Sequence, residues 1–371
     1  MATQITNYQC PSCTGPLRFD GEAGKLVCDY CGSQYETVEI ENYYAKKDRL
    51  AREAFEEERK KPQAENEWDM SYLNSDWGKD ADKMKAYDCP SCGAQLICDE
   101  TTSATSCPYC GNPSIVPGQF AGAFRPDYVI PFKLSKDHAV KALENYYKGK
   151  KFLPDAFTKN NKIQEIQGVY VPFWLFDGEV DADIDFEASS TRVYTQGDYR
   201  ITETSYYDVR RRGTVPFAKI PVDASTKMPD THMDAVEPFD YTELKPFSMA
   251  YLPGFLAERY DQSVQRSSTR ADQRAENTAV DIMKADVTGY SGYSVQNKKI
   301  KVNRGKVSYA LMPVYMLNTK YNGEDYLFAM NGQTGKFIGN LPVDKGKYWK
   351  TFFGITVAVT AVLGSAMMFL L

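Results

Sequence analysis

The residues of this sequence best suited to chemistry are eight cysteines that form four Cys-x-x-Cys pairs. Two sets share one spacing, with two residues inside each pair and fourteen between pairs: Cys10, Cys13, Cys28 and Cys31, then Cys89, Cys92, Cys107 and Cys110. Each pair can present two thiolates from one tight turn, and a hairpin brings two pairs around one ion. We therefore predict two zinc ribbons. Their two ions are structural, because four thiolates leave no coordination position for water or substrate.

Other chemistry for these cysteines stays open at this point. The same spacing suits a four-thiolate iron site, and Cys-x-x-Cys pairs also occur as redox-active dithiols. The ninth cysteine, Cys98, lies outside the pattern, and we interpret it as a small apolar strand residue.

The cysteine module is duplicated. Besides the cysteines, Leu17, Asp20 and Gly32 recur 79 residues later as Leu96, Asp99 and Gly111. Self-similarity at a fixed offset indicates two copies of one structural unit.

Composition and charge limit the functions that the chain can have. Its 371 residues suffice for several domains, and its 26 tyrosines favour strands. A net charge of -5 opposes binding to nucleic acid, because phosphate backbones are bound through basic surfaces. The paired cysteines and the absence of a secretory signal before Cys10 indicate metal binding in a reducing compartment. We expect the N-terminal part to be cytosolic.

The C-terminal segment 351–371 contains no charged residue. As a helix it would extend roughly 31 Å, about the thickness of the bilayer hydrocarbon core. Lys345, Lys347 and Lys350 precede it, together with Tyr348 and Trp349, as is typical of a cytoplasmic membrane interface. We predict a tail-anchored, single-pass protein of the cell membrane whose N-terminal domains are cytoplasmic and whose lysines contact membrane lipid. The alternative is a buried core helix.

Between these ends, the sequence predicts a domain built mainly on antiparallel strands. Asn-Gly pairs at 322–323 and 331–332 predict hairpins, and the stretch 181–223 predicts a meander broken at its Gly-Asp and Arg-Gly pairs. Helices are predicted near 135–147, 249–260 and 267–284. The predicted fold class is α+β multidomain. Two zinc ribbons, at 1–40 and 87–117, are joined by a charged helical linker at 41–86. A β-rich α+β domain follows at 118–345, and the chain ends in a cationic flank with a single C-terminal transmembrane helix at 346–371.

No catalytic set is recognisable in the sequence, so we predict no enzyme activity. His138 and His232 have no nucleophile or acid near them in sequence, and the segment 332–336 lacks the spacing of a phosphate-binding loop. Five carboxylates alternate with other residues along one predicted strand: Asp177, Glu179, Asp181, Asp183 and Asp185. They could form a calcium site, but we favour a solvated strand face that discourages pairing between sheet edges. Residues 210–212 are three consecutive arginines, and we interpret them as a solvated turn rather than as a contact with lipid head groups.

Several motifs resemble one known family over nearly the whole chain. They are Tyr87–Gly93, Cys107–Pro113, Phe124–Lys133, Gly168–Asp177 and Ala329–Lys336, followed by the apolar C-terminal segment. In these the chain resembles bacterial membrane proteins with TFIIB-type zinc ribbons, the YdjG-like group. The resemblance implies a non-enzymatic adaptor that binds zinc through the same eight cysteines, recruits an SPFH/flotillin-like protein, and is linked to PspA-type envelope-stress machinery.

We expect a membrane-anchored scaffold that recruits partner proteins to the cytoplasmic face of the membrane. Two alternatives stay open at this stage. One is a membrane-tethered nucleic-acid factor that uses the ribbon loops, although the second ribbon contains no lysine or arginine. The other is an enzyme with an unrecognised site in 118–345.

Overall fold

The computed structural model of the chain describes most of the sequence. The described residues are 10–12, 17–20, 24–28, 31–40, 42–43, 46, 67–99, 101–102, 106–113, 115–118, 124–155, 157 and 165–370. Half of the predicted charged linker at 41–86 therefore lies outside the described residues, while 67–86 lies within them.

The first cysteine module forms a small antiparallel sheet. Its strands are β1 (Leu17–Asp20), β2 (Lys25–Cys28) and β3 (Gln34–Tyr35), in the spatial order β1-β2-β3. A separate apolar cluster fills it, made by Leu17, Leu26, Ile40 and the buried cysteines Cys10 and Cys28.

A second, 11-stranded sheet contains the rest of the described strands. Three of them are unusually long: β8 (Gln167–Gln196), β9 (Tyr199–Asp223) and β12 (Gly292–Tyr321). The shorter strands are β4 (Met84–Asp88), β5 (Gln95–Asp99), β6 (Val116–Gly118), β7 (Tyr128–Val129), β10 (Lys245–Pro246), β11 (Leu256–Glu258), β13 (Glu324–Asn331) and β14 (Phe337–Gly339).

The sheet is ordered β10-β7-β12-β8-β11-β5-β4-β6, with β9 added to β8 and the pair β13-β14 added to β12. Its pairs are antiparallel except for β11 with β8 and β7 with β12. The α-helices that the structure describes along their whole length are α1 (Lys136–Tyr147), α2 (Asp230–Val236), α3 (Val264–Ala285) and α4 (Lys345–Leu370).

The middle of the sheet is buried on both faces because side chains alternate along β8. Trp174 and Phe176 point to one face, where α3 and the segment around Trp68 cover them. Phe173 and Leu175 point to the other face, where α2 and the second cysteine module lie. The strand is accordingly apolar at every position from Val169 to Phe176, as expected for a strand buried on both sides.

Beyond this core, β8, β9 and β12 continue as a three-stranded arm. On the α3 side, Val180, Ala182, Ile184 and Phe186 remain buried. On the other face, Asp181, Asp183 and Asp185 lie between two rows of polar and basic side chains. These are Arg210, Arg212 and Thr214 on β9 and Asn297, Lys299 and Lys301 on β12. The strand is therefore interior and its half-exposed carboxylates have partners on the neighbouring strands, so they do not protect a sheet edge as the sequence predicts.

An ion-pair network fixes α3 to the end of β9. Arg270 donates to Asp223, which is buried, and also to Asp234 on α2. Arg274 donates to Asp234 and to Glu237, the latter at 3.0 Å. Arg270 also lies 3.3 Å from Asp230. Because the two arginines lie one turn apart, one face of α3 neutralises four carboxylates from neighbouring elements.

The turn at 331–336 holds the segment that follows α2 against the sheet. Asn331 is buried, and its Nδ2 donates to the carbonyl oxygens of Val236 and Pro238 at 3.1 and 3.2 Å. Its Oδ1 accepts from the amides of Gln333 and Thr334, both at 2.9 Å. The motif is thus a structural turn that holds the chain after α2, in line with our interpretation of it as a turn.

The structure overturns the predicted fold class of α+β with a transmembrane helix. Strand is the dominant secondary structure, because β8, β9 and β12 run on where the sequence indicated several short strands. The predicted helix at 249–260 is instead a single 3₁₀ turn (Met249–Tyr251) followed by β11.

The predicted membrane anchor is also wrong. Among the described residues, none of the helices combines the length and the apolar character that crossing a bilayer requires. In α4 the first turns contain Lys345, Lys347 and Lys350. The single-pass location in the cell membrane and the cytoplasmic orientation, which were predicted from this segment, are therefore wrong as well.

A glycine in the turn at 331–336 gives a direct test of the packing. A Cβ on Gly332 would lie 2.5 Å from Cδ1 of Phe132, whose ring is stacked at 4.1 Å on Phe255 and cannot easily move. We expect Gly332→Ala to lower the free energy of unfolding by about 1–3 kcal/mol in urea denaturation. Gly292→Ala is the matched control, since its nearest neighbour would be Ser189 Oγ at 3.6 Å. Equal stability of the two variants would contradict this packing.

Candidate metal centres

The described cysteine turns share one backbone geometry. In the turns that begin at Cys28, Cys89 and Cys107, the carbonyl oxygen of the first cysteine accepts from the amide of a glycine four residues later, at 2.9 Å. The amide of the same cysteine donates to the carbonyl oxygen five residues later, also at 2.9 Å. The glycines have φ between 67° and 72°, a conformation that other residues seldom adopt. This explains why Gly32, Gly93 and Gly111 follow the pairs in the sequence.

The second module brings its four cysteines together. The Sγ atoms of Cys89, Cys92, Cys107 and Cys110 all lie within 4.8 Å of one another. Cys89 Sγ is 3.5 Å from Cys110 Sγ, and Cys92 Sγ is 3.6 Å from Cys107 Sγ. These separations are far above the ~2.05 Å of a disulfide. They are close to the ~3.8 Å edge of a sulfur tetrahedron around an ion with metal–sulfur distances of ~2.3 Å.

Burial makes the thiols of Cys92 and Cys107 poor acids in the absence of a cation. It raises the pKa of Cys92 to about 11 and raises the pKa of Cys107 well above its ordinary value. Burial also disfavours ionisation of Cys110, but hydrogen bonds from the Asn112 amide and from neighbouring thiols lower its pKa. A bound cation would favour the charged form of all four, so binding of metal and loss of protons are coupled here.

The first module shows the same arrangement at the three cysteines that are described. Cys10, Cys28 and Cys31 have Sγ atoms within 4.8 Å of one another, and Cys10 Sγ lies 3.6 Å from Cys31 Sγ. Cys13, the fourth predicted ligand, lies outside the described residues. The prediction of metal binding is confirmed in its coarser form, in that two clusters of cysteines can hold metal ions.

The two modules are attached to the molecule in different ways. In the first copy, β1 pairs with β2 of the same module, Leu17 lying opposite Cys28. In the second copy, β5 pairs with β4 on one side and with β11 on the other, Leu96 lying opposite Glu258. The second module is therefore part of the large sheet.

A buried carboxyl group reinforces this attachment. Glu258 is fully buried and accepts hydrogen bonds from Tyr109, which lies between Cys107 and Cys110, and from Ser225 at 2.6 Å. Burial raises the pKa of Glu258 to about 8 and raises the pKa of Tyr109 as well. The carboxyl group is therefore mostly protonated at neutral pH, which removes the cost of an unpaired buried charge.

Side chains from three other parts of the sheet region hold the cysteine turns. Asn318 Nδ2 donates to the Tyr109 carbonyl oxygen at 2.5 Å, and Lys227 Nζ donates to the Cys92 carbonyl oxygen at 3.1 Å. Gln167 Nε2 donates to Ser106 Oγ at 2.7 Å. Sequence reasoning missed these residues and Glu258. They are ordinary polar residues far from the cysteines in sequence, so no local pattern could have identified them.

The remaining predicted candidates lie apart from the cysteine clusters. Cys98 is buried in β5 and donates to the Thr102 carbonyl oxygen at 3.2 Å, as expected of a small strand residue. His138 lies in the first turn of α1, where Nδ1 is 3.2 Å from Oγ of the N-cap Ser135. His232 lies in α2. Arg211 pairs with Asp286 at 2.8 Å, next to the end of α3.

Comparison with known proteins was made against relatives, family models and solved structures. Over 355 residues the chain is 35% identical to "Uncharacterized protein YdjG" of Bacillus subtilis (strain 168), an alignment that covers 95% of this chain and 94% of that protein. The chain belongs to the YdjG family. No protein-family model matches it, and no solved structure is similar to it. Membership in the YdjG-like group is thereby confirmed.

The different attachments predict different consequences of losing a ligand. We expect Cys107→Ser to lower the free energy of unfolding of the large sheet by about 3 kcal/mol or more, because a closed metal site contributes directly to folding. The matched variant Cys28→Ser should leave that transition within about 0.5 kcal/mol of the parent, since β1–β3 form their own sheet. Urea denaturation followed by tryptophan fluorescence measures the effect. A larger loss from Cys28→Ser than from Cys107→Ser would refute the difference in attachment.

Glu258 predicts a pH dependence of stability. Its pKa is raised from an ordinary 4.5 to about 8 in the folded chain, so the unfolded chain loses this proton at lower pH than the folded chain. Stability should therefore fall by about 1 kcal/mol per pH unit as the pH rises from 6.5 towards 8, and then level off. Glu258→Gln, which cannot ionise, should remove this slope. A slope unchanged in Glu258→Gln, measured by urea denaturation at each pH, would contradict the assignment.

Proposed function

We propose that the chain is a non-enzymatic zinc-ribbon adaptor that docks partner proteins, with one zinc ion bound by each cysteine set. The observation that carries the docking role is helix α4, which is firmly attached to the body at its first turn and then exposes apolar side chains. The zinc ions would hold the cysteine turns in place and take no part in a reaction.

The donor set supports zinc and a structural role. Four thiolates in a tetrahedral arrangement are a common zinc-binding set, in which the protein supplies every ligand. Such a site leaves no position for a substrate or an activated water. In the second module the carbonyl groups of the turns are also bound by Asn318 and Lys227, which suits a site that stays fixed.

The start of α4 is attached to the body by several contacts. The Asp344 amide donates to the Phe152 carbonyl oxygen at 2.8 Å, and Asp344 Oδ1 accepts from the Lys347 amide at 3.0 Å. Lys347 Nζ donates to the Leu153 carbonyl oxygen at 2.9 Å and to Asp155 at 2.6 Å. These contacts set the direction in which the helix leaves the sheet.

Beyond these contacts the helix presents apolar side chains to solvent. Trp349 and Phe353 are 51% and 60% exposed, and their ring centroids lie 5.8 Å apart. Ile355, Val357 and Val362 are exposed to a similar degree. Contiguous apolar surface of this kind marks interaction sites, and aromatic residues are enriched at the centres of protein interfaces. A partner protein that covered α4 would bury this surface.

The partner class comes from the family resemblance. An SPFH/flotillin-like protein and a PspA-type stress protein are the partners that the resemblance implies. We propose that one of these two classes covers α4. The closed cysteine sites and the absence of a recognisable catalytic motif favour recruitment over catalysis.

Site-specific photocrosslinking tests this function. The full chain with benzoylphenylalanine in place of Phe352 is irradiated in its host cells, and the adducts are identified by mass spectrometry. We expect adducts with an SPFH-type or PspA-type protein, because Phe352 lies in the exposed aromatic part of α4.

The matched control has the same photoreactive residue in place of Tyr199, an exposed aromatic residue at the first position of β9. It should give at least about fivefold fewer such adducts. A chain that gave no protein adduct from position 352, or only adducts between its own copies, would rule out the proposed docking role.

A further inference from the structure

The arm of the large sheet ends in an open strand edge with an unusual charge. From 292 to 304, β12 pairs only with β8 among the described residues, and its other edge meets no strand until an isolated bridge between Lys306 and Asp69. β7 and β13 pair with that edge only from Ala310 onward. A row of main-chain donors and acceptors is thus left for another strand.

This edge has positive charge and no negative charge. The stretch 292–306 contains no aspartate or glutamate and contains Lys298, Lys299, Lys301, Arg304 and Lys306. Two of these cations already have partners, since Arg304 donates to Asp272 at 2.5 Å and Lys306 lies over the ring of Tyr72. Lys299 and Lys301 lie opposite Asp183 and Asp181 and attract these carboxylates through their charge, but neither lysine makes a hydrogen bond or a salt bridge with a described residue.

The carboxylates of β8 are satisfied from elsewhere. Arg210 on β9 donates to Asp183 through two nitrogens, at 2.7 and 2.5 Å. Asp181 accepts from Thr214 at 2.6 Å and from Asn303 at 2.8 Å. The rows across the arm are therefore basic, acidic and basic, and the last basic row borders the open edge. One more acidic strand would continue the alternation and give both lysines a second carboxylate, on the side of the open edge.

We infer that the β12 edge at 297–303 binds an extended acidic segment of a partner protein by strand addition. The segment would alternate carboxylates with apolar residues. Its carboxylates would face Lys299 and Lys301, and its apolar side chains would lie beside Ile300 on the α3 side of the sheet. The inference rests on the proposed docking function and adds a second surface to it, apart from α4.

A second copy of the chain fits this edge poorly. Two β12 edges placed side by side would bring lysines opposite lysines, and like charges on facing strands are destabilising. The other open edge of the arm, on β9, is a weaker candidate for an acidic strand. Its Arg210 and Arg211 already pair with Asp183 and Asp286, and it carries Glu203 and Asp208.

The sequence of β8 supplies a suitable probe. Residues 178–187 alternate acidic and apolar side chains, and in the folded chain they already pair with β12 through its other edge. A fluorescently labelled peptide with this sequence is titrated into the full chain and followed by anisotropy. A peptide of the same composition with its acidic residues grouped at one end controls for simple attraction of charge. We expect the alternating peptide to bind at least tenfold more tightly.

Variants of the chain test the role of the two lysines. Lys299→Gln with Lys301→Gln removes both charges without adding repulsion against Asp181 and Asp183. It should weaken binding about five- to tenfold. Lys136→Gln with Lys141→Gln on α1, where both lysines are exposed, is the control and should leave the affinity unchanged.

Hydrogen exchange then separates strand addition from a loose electrostatic contact. The alternating peptide should slow exchange at amides within 297–303. Equal affinity for the two peptides, no binding of either, or binding without protection at 297–303 would each overturn the inference. Protection that appears without peptide as the chain concentration rises would show a second copy at the edge and would overturn it too. None of these outcomes changes crosslinking from position 352, so the inference and the proposed function can fail separately.

Discussion

Four cysteine sulfurs held within 4.8 Å of one another set the condition on which the second module depends. As thiols they are partly buried without strong hydrogen-bond partners, and as thiolates at this separation they would repel one another. A divalent cation resolves both problems by taking the four charges into one coordination sphere. The turns at Cys89 and Cys107 can then stay against Lys227, Asn318 and Glu258. The zinc ion that we propose would therefore stabilise the edge of a large sheet as well as a small ribbon.

Duplication has left two modules with the same ligands and different surroundings. β11 supplies a strand to the second module, whereas the first module pairs its strands within itself. A metal site inside a sheet constrains the body of the molecule, while a self-contained module can meet a partner without disturbing that body. The long strands β8 and β12 then connect the second module with the charged arm, and β12 continues through β13 to the region from which α4 starts. A scaffold needs such a rigid connection between separate binding surfaces.

The sequence predicts local features well and long-range ones poorly. The cysteine spacing anticipates the clusters, and Asn322-Gly323 forms the predicted hairpin with φ of 52° and 82°. Gly213 suggested a turn but lies inside β9, where the nearest side chain to it belongs to Met283 of α3. Proline is usually confined to sheet edges, yet Pro172 lies in an interior strand, one residue beyond the end of the β9 ladder. Both positions depart from the local rule because α3 and β9, which are far away in sequence, decide their surroundings.

The central claim is that each cysteine set holds one zinc ion through sulfur alone. X-ray absorption spectroscopy at the zinc edge, with elemental analysis of the same reduced and chelator-free full chain, tests it most directly. The account predicts two zinc ions per chain, each with four sulfur neighbours at about 2.3 Å. Fewer than two bound ions, iron in place of zinc, or nitrogen or oxygen ligands in the first coordination sphere would contradict it.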